Sequence, residues 1–424
     1  MKKILLISYF FPPSNFVGGE RINGWVQNLN KFGYYPIVIT RQWNYHQIEL
    51  TDKIQHNQYG IDKYETYEVH RMPYKRTFRD SLAKYPKFWV LQKSLTLLEI
   101  ILSSLFIRVL PFRNFYKISN QIIKKHSDIK YCICSGRPFQ SFFIGYKLQK
   151  KHKIKFIPDY RDEWNSHKNL NSKGLLNKIL NKIHLKCELK WTKNCAFFIS
   201  VSKSCVYSIS KLIDIKGYTI LNGFDDKSEH ININSEKKTD KEFVITYAGT
   251  LYEYQKIEIL ISSIQKLDSG LRNKIKVYFI GVNMIPKEYS RIKKLIEGSE
   301  DTFIIKERIP KKELIKYYKK TDLLFLTGYE KNKGWFPVKL IEYYITNIPM
   351  LLCPSDNGEM ENFIKESNCG FIANNIEDCE KTLVNLIEKN NENKRLIPGV
   401  EKNILLNFSQ KNQTKELVYL LNTI

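Results

Sequence analysis

An α/β fold of two doubly wound domains is what this sequence predicts, on three observations. Short β-branched or aromatic runs recur along its 424 residues, each followed by a segment of helical length. The chain is too long for one ordinary core, at about 100 to 200 residues per domain. A polar stretch without hydrophobic periodicity, Asp225 to Lys241, separates the runs into two similar sets.

In the first set the strands are expected at Ile4 to Ser8, Pro36 to Thr40, Tyr67 to Met72, Tyr131 to Cys134, Lys155 to Tyr160 and Phe197 to Val201. In the second they are expected at Val244 to Ala248, Lys276 to Phe279, Phe303 to Ile305, Leu323 to Leu326, Met350 to Leu352 and Gly370 to Ile372. The expected division is a first domain over 1–210, a connection over 211–241, a second domain over 242–405, and a terminal segment over 406–424. Within the last, Ser409 to Ile424 reads as an amphipathic helix with Leu417, Leu420 and Leu421 on one side, suited to packing back on the first domain. Doubly wound sheets bind ligands at the carboxyl ends of their strands, so a cleft between the domains is the expected active site.

Composition narrows the class. With 43% hydrophobic and 26% charged residues the chain can bury a core. Its net charge of +25 is uneven: residues 1–200 hold 34 Lys and Arg against 13 Asp and Glu, whereas 201–424 hold 34 against 30. Such a field suits anionic lipid headgroups or phosphorylated substrates, although a lysine-rich coding bias also contributes. No helix-turn-helix, zinc-finger or RNP-like signature accompanies the charge, which argues against nucleic acid. The eight cysteines lack zinc spacing and read as reduced thiols of a cytoplasmic protein, with no structural metal. MKKILLISYFFPP has an apolar run of only about eight residues and reads as a buried strand rather than a leader. No stretch reaches the roughly 18 to 20 apolar residues of a membrane span.

Two segments carry candidate chemistry. Gly18-Gly19 stands before a helix expected over Glu20 to Phe32, where backbone N–H groups can approach an oxyanion; the plain alternative is a simple turn. In GWFPVKLIEYYITNIPMLL, Pro337 fits a first helical position, Lys339 and Glu342 share a face, and Asn347-Ile348-Pro349 ends the helix. A carboxylate there can accept both ribose hydroxyls, with a diphosphate at the helix start around Pro337 and Val338. The plain alternative is a surface Lys-Glu pair.

Taken in order, ISYFFPPSNFVGGER, CSGRPFQS, PDYRDEW, FISVSKS, LNGFD, YAGTLYEYQKIEILI, ERIPKKELIKYYKKTDLLFL and VKLIEYYITNIPMLL resemble glycosyltransferase family 4, from Ile4 to about Ile387. The similarity is greatest to the branch acting in capsule, O-antigen or exopolysaccharide assembly. It implies the GT-B architecture, two Rossmann-like domains, the first for the acceptor and the second for the nucleoside-diphosphate sugar. The ribose-binding Glu falls on Glu342. An earlier Glu falls on Gly334, which has no side chain, although Glu330 stands nearby. Of two cations that neutralise the donor diphosphate, the second falls on Lys256; Thr250 replaces the first, and Lys339 is the substitute charge. The nucleobase is expected against Arg308-Ile309-Pro310. A His-Asp pair of the first domain is replaced by Arg161-Asp162, where Arg161 is expected to contact phosphate or acceptor and Asp162 to orient a hydroxyl or hold Arg161; a pair pinning a loop is the alternative. Ser135-Gly136-Arg137-Pro138 is expected to line the same cleft.

The resemblance further implies transfer with retention at the anomeric carbon. No Asp-x-Asp metal element is present, so Lys256, Lys339, Gly18-Gly19 and the helix after Pro337 are the expected stabilisers of the leaving group, without metal or other cofactor. The implied partners are a nucleotide-sugar donor, a lipid-linked or polysaccharide acceptor and the anionic inner face of the cell membrane. The segment from Arg71 to Lys117, which mixes basic, aromatic and apolar residues, suits interfacial docking. A sugar-nucleotide 2-epimerase and a non-catalytic scaffold share the architecture and remain alternatives.

Overall fold

The computed structural model describes residues 1–14, 17–43, 58–73, 82, 85–105, 112–166, 175–225, 242–329, 334–391 and 402–424. The chain divides into two units, Met1–Gly223 with Gln410–Ile424, and Phe224–Ser409. Each is an α/β unit around its own sheet.

The sheet of the first unit has eight strands, in the order β3-β4-β2-β1-β5-β6-β7-β8. These are β1 Lys2–Ile7, β2 Tyr34–Arg41, β3 Gly60–Lys63, β4 Glu68–Met72, β5 Tyr131–Ser135, β6 Lys155–Tyr160, β7 Phe198–Ser200 and β8 Gly217–Thr219. All ladders are parallel except β3 with β4. Central strands such as β1 and β5 read as unbroken apolar runs because helices cover both faces. Leu5, Ile7, Cys132 and Cys134 point to a core formed with helices Phe112–Lys125, Gln140–His152 and Leu175–Thr192. Ile4, Leu6, Tyr131 and Ile133 face helix Val17–Leu29 and the terminal helix Gln410–Asn422, which buries Leu417, Leu420 and Leu421 there. Tyr131 also donates its hydroxyl to the Leu421 carbonyl, at 2.8 Å.

The first unit runs past the expected limit at residue 210. Helix Lys203–Ile213, capped by the Ser202 hydroxyl on the Cys205 N–H, continues into β8, which completes the sheet beside β7. This edge strand has only three residues and leaves little pattern in the sequence. At the other end, 406–409 belong to the second unit, tied by the Phe224 N–H to the Phe408 carbonyl. Of the expected connection, 226–241 lie outside the described residues.

The second unit carries a six-stranded parallel sheet in the order β11-β10-β9-β12-β13-β14. Its strands are β9 Phe243–Ala248, β10 Ile275–Ile280, β11 Phe303–Lys306, β12 Leu323–Leu326, β13 Met350–Leu352 and β14 Gly370–Ile372. Counted from β9 this is the 3-2-1-4-5-6 order of dinucleotide-binding sheets, whose direction of winding reverses between β9 and β12. Helices Glu258–Lys266 and Pro286–Leu295, which follow β9 and β10, share one face, and the reversal opens a crevice beyond the carboxyl ends of β9 and β12. All eight cysteines are buried and unpaired as disulfides. Among the described residues no helix is long and apolar enough to cross a membrane.

Candidate functional site

In the second unit the crevice is built on one close approach. Gly249 follows β9 with a φ of +126° that disfavours any side chain, and a Cβ there would lie 2.9 Å from Lys339 Nζ. Glycine therefore admits the amine. Lys339 leaves the first turn of helix Val338–Tyr344, and its Nζ stands 3.7 Å from the centroid of the Tyr247 ring. A cation over an aromatic face gains electrostatic attraction, but it loses water. Burial accordingly lowers the Lys339 amine to about 7, against the upward pull of the Glu342 carboxylate one turn along the same helix face. Lys339 thus holds only part of its charge at neutral pH.

The surrounding hydrogen bonds fix this geometry. Tyr343 Oη accepts the Ala248 N–H at 2.8 Å, joining the helix to the end of β9. Tyr247 Oη donates to the Thr250 carbonyl at 2.9 Å and shapes the turn that follows. Burial first, then the Glu342 carboxylate, push the Tyr318 phenol up. Gln255 accepts the Tyr252 N–H at 3.1 Å and donates to the Thr327 carbonyl at 3.2 Å, so the turns after β9 and β12 are clasped together. Lys256 is exposed at the end of the first of these turns, before helix Glu258–Lys266.

On the far side of β9, Gly281 closes β10 with a φ of +79° and donates to the Lys306 carbonyl at 3.0 Å. A Cβ on Gly281 would lie 3.6 Å from Arg308 Cα, which sets the turn Arg308-Ile309-Pro310 beside that strand end. Thr250, Lys256, Arg308, Ile309, Pro337, Val338 and Lys339 therefore stand on turns or helix starts at the carboxyl edge of this sheet, with Glu342 one turn into the last helix. Pro337 precedes the helix rather than opening it, with φ −70° and ψ 144°. That helix has only seven residues, so its aligned peptide dipoles are few and side-chain cations must supply most of any attraction for a diphosphate. Gly334 is half-buried, while Glu330 lies outside the described residues.

The first unit has its own winding reversal, between β1 and β5. Gly18 and Gly19 lie inside the first turn of helix Val17–Leu29, not ahead of it as the sequence suggested. Glycine is a poor helix former, and close packing explains its presence. A Cβ on Gly18 would lie 1.8 Å from Arg161 Nη1, and one on Gly19 would lie 3.2 Å from the Phe11 backbone. Arg161 donates to the carbonyls of Gly136 and Arg137 and stands 5.6 Å from the centroid of Phe10. Burial lowers its pKa while Asp159 and Asp162 raise it. The guanidinium pins the loop Ser135 to Pro138. Asp162 forms an ion pair with Arg137, at 3.7 Å between largely exposed side chains, while the hydrogen bonds that hold Arg161 run to the Gly136 and Arg137 carbonyls.

Sequence reasoning missed a buried ion pair of this unit. Arg21 Nε meets Asp159 Oδ1 at 3.0 Å with both side chains buried, and Arg21 Nη1 donates to the Ile220 and Leu221 carbonyls at 2.6 and 2.9 Å. The guanidinium stacks 4.6 Å from the Trp25 ring, and Ser135 Oγ donates to Asp159 at 2.9 Å. No local pattern signals a pair 138 residues apart. Among the described residues, no group of three His, Cys, Asp or Glu side chains is placed to hold a metal ion.

Comparison with known proteins places this geometry in context. Residues 228–403 match the model of the family described as glycosyl transferases group 1. No curated protein matches the sequence. Among solved structures, sucrose-phosphate synthase from Thermosynechococcus elongatus is similar with a TM-score of 0.65 at 12% identity, covering 100% of this chain and 99% of that one. HepE from Anabaena, in complex with UDP-glucose, gives 0.62 at 10% identity with 100% of both chains covered. A glycosyltransferase from Rickettsia africae gives 0.59 at 17% identity, with 99% of this chain and 97% of that one covered. At such identities the likeness is one of fold: two α/β domains with parallel sheets, as in GT-B proteins.

Proposed function

We propose that the chain is a glycosyltransferase that moves a sugar from a nucleoside diphosphate to a lipid-linked or polysaccharide acceptor. One observation carries the reading: Lys339 and Glu342, one helical turn apart, stand at the β9–β12 crevice of a unit that matches a glycosyltransferase family model. There Glu342 accepts the ribose hydroxyls, Lys339 and Lys256 flank the diphosphate, Thr250 adds a hydrogen bond, and the base lies by Arg308-Ile309-Pro310. UDP-glucose bound to HepE supports a donor of that class for the shared fold.

The chemistry follows from charge. As the anomeric C–O bond lengthens, the ring becomes oxocarbenium-like and the departing diphosphate gathers negative charge. Lys339, held against Tyr247 and only partly protonated, takes up a solvent proton when the diphosphate binds and then offsets its growing charge, and Lys256 adds a second cation. No step in this scheme needs a metal. On the first unit, Gly18, Gly19, Arg161 and Asp162 are the groups offered to substrate, and the acceptor enters on the leaving-group side, with retention. Glycan assembly of the capsule or O-antigen kind is the setting.

The inner face of the membrane is the proposed location. Helix Trp89–Leu105 and the turn before it expose Tyr85, Phe88, Trp89, Val90, Leu91 and Leu98, and basic residues such as Lys87 and Arg113 lie on either side. That combination suits an interface rich in anionic lipid.

Transfer from a panel of sugar nucleotides to membrane glycan extracts tests the activity. Lys256→Ala is expected to lower turnover about 100-fold while donor affinity changes less than about threefold, as for an interaction strongest in the transition state. Near-normal turnover removes Lys256 from the mechanism. An isomerised sugar nucleotide released without acceptor would establish an epimerase instead.

A further inference from the structure

Beside Lys339 the crevice continues into aromatic side chains that the donor scheme does not use. Tyr252, in the turn after β9, lies 6.1 Å from Tyr329, in the turn after β12, and Tyr329 meets the Trp335 ring edge to face at 4.2 Å. The Gln255 side chain fixes the turns that carry the two tyrosines, through the Tyr252 N–H and the Thr327 carbonyl. Tyr252 is 45% exposed. The two tyrosines follow β9 and β12, the neighbouring strands whose connections also carry Gly249 and the Lys339 helix. An aromatic cluster at a sheet edge usually extends the core, but this one leaves a ring open at a ligand crevice.

Its place along the crevice identifies its occupant. Glu342 and Lys339 are separated by one helical turn, about 4.5 Å of rise, and Trp335 stands three residues ahead of the helix start. The turn of Arg308 follows β11, three strand spacings or about 14 Å across the sheet from β12. A donor with its nucleoside toward Arg308 and Glu342 and its diphosphate at Lys339 therefore delivers its sugar to the aromatic side. We propose that Tyr252, Tyr329 and Trp335 form the subsite for the transferred sugar, a pyranose stacked by its C–H face on the open aromatic surface. This deepens the donor reading above and rests on it. The C–H groups on a pyranose face carry partial positive charge and meet the negative face of an aromatic ring, so the contact selects ring shape.

Calorimetric titration of the full chain with UDP and UDP-glucose, and in parallel with ADP and ADP-glucose and with GDP and GDP-mannose, separates the two claims. In the pair that binds, the sugar nucleotide is expected to bind about tenfold tighter than its diphosphate, the gain of a single good stacking contact. Tyr252→Ala and Trp335→Ala each abolish most of that difference while the diphosphate alone keeps its affinity within about twofold, and Trp335→Phe restores it. Unliganded melting temperatures, and the retained diphosphate affinity itself, show that the variants fold. Equal loss for diphosphate and sugar nucleotide, or no loss for either, overturns the subsite. If none of the diphosphates binds the unsubstituted chain, the donor reading itself fails and the subsite falls with it.

Discussion

Replacing Lys339 by Met removes a charge that the native state holds at a cost. The amine sits above Tyr247 with Glu342 beside it, lowered from 10.5 to about 7. Because the folded value lies below the unfolded one, the unfolded chain binds more protons between these limits. Stability therefore rises with pH through that window, and the full cost is felt below about pH 7. At about 1.4 kcal/mol per pH unit the cost reaches at most about 5 kcal/mol. Lys339→Met keeps the aliphatic stem, so it is expected to raise the urea midpoint at about pH 6 and to match the parent near about pH 10.5. Ligand binding has the opposite sign. A diphosphate raises the Lys339 pKa, so binding takes up a proton above about pH 7, and affinity falls by up to about tenfold per unit between about pH 7 and 9. The variant should show weak binding that is flat over this range. Parallel pH curves for parent and variant, in either assay, would refute the assignment.

Two further outcomes test the first unit. Asp159→Ala leaves Arg21 buried without its counter-charge and is expected to cost about 3 to 5 kcal/mol, seen as a fall of roughly 10 °C in melting temperature; an unchanged midpoint would show the pair to be dispensable. Co-sedimentation with vesicles containing anionic lipid should exceed that with neutral vesicles and weaken in high salt, and Trp89→Ala should reduce it, whereas equal partition to both vesicles would remove the membrane face.

Much of the fold was legible because the central strands are buried on both faces and so read as continuous apolar runs. ILLI in β1 and ICS in β5 admit few alternatives once helices flank them. The two strands that escaped lie at sheet edges. GIDK of β3 alternates burial along an antiparallel edge, and GYT of β8 is three residues long. Neither leaves a hydrophobic run. The pairing of Lys339 and Glu342 on one helix was legible because it is local and follows from helical spacing. Long-range pairings were not, since Lys339 on Tyr247 and Arg21 on Asp159 join residues about 90 and 138 positions apart. Gly18 misled in an instructive way. With Gly19 it suggests an oxyanion loop or a simple turn ahead of the helix, but it lies in the first helical turn, where the Arg161 guanidinium occupies the space of a side chain.

Glu342, the carboxylate proposed to hold the ribose, offers the most direct measurement. Calorimetry of the unsubstituted chain and of Glu342→Ala against UDP, ADP and GDP should give one saturable site for one of these nucleotides, weakened at least about tenfold by the substitution, the loss of a charged hydrogen-bond acceptor. Equal affinity in both proteins, or no heat from any nucleotide, would contradict a donor site at the β9–β12 crevice.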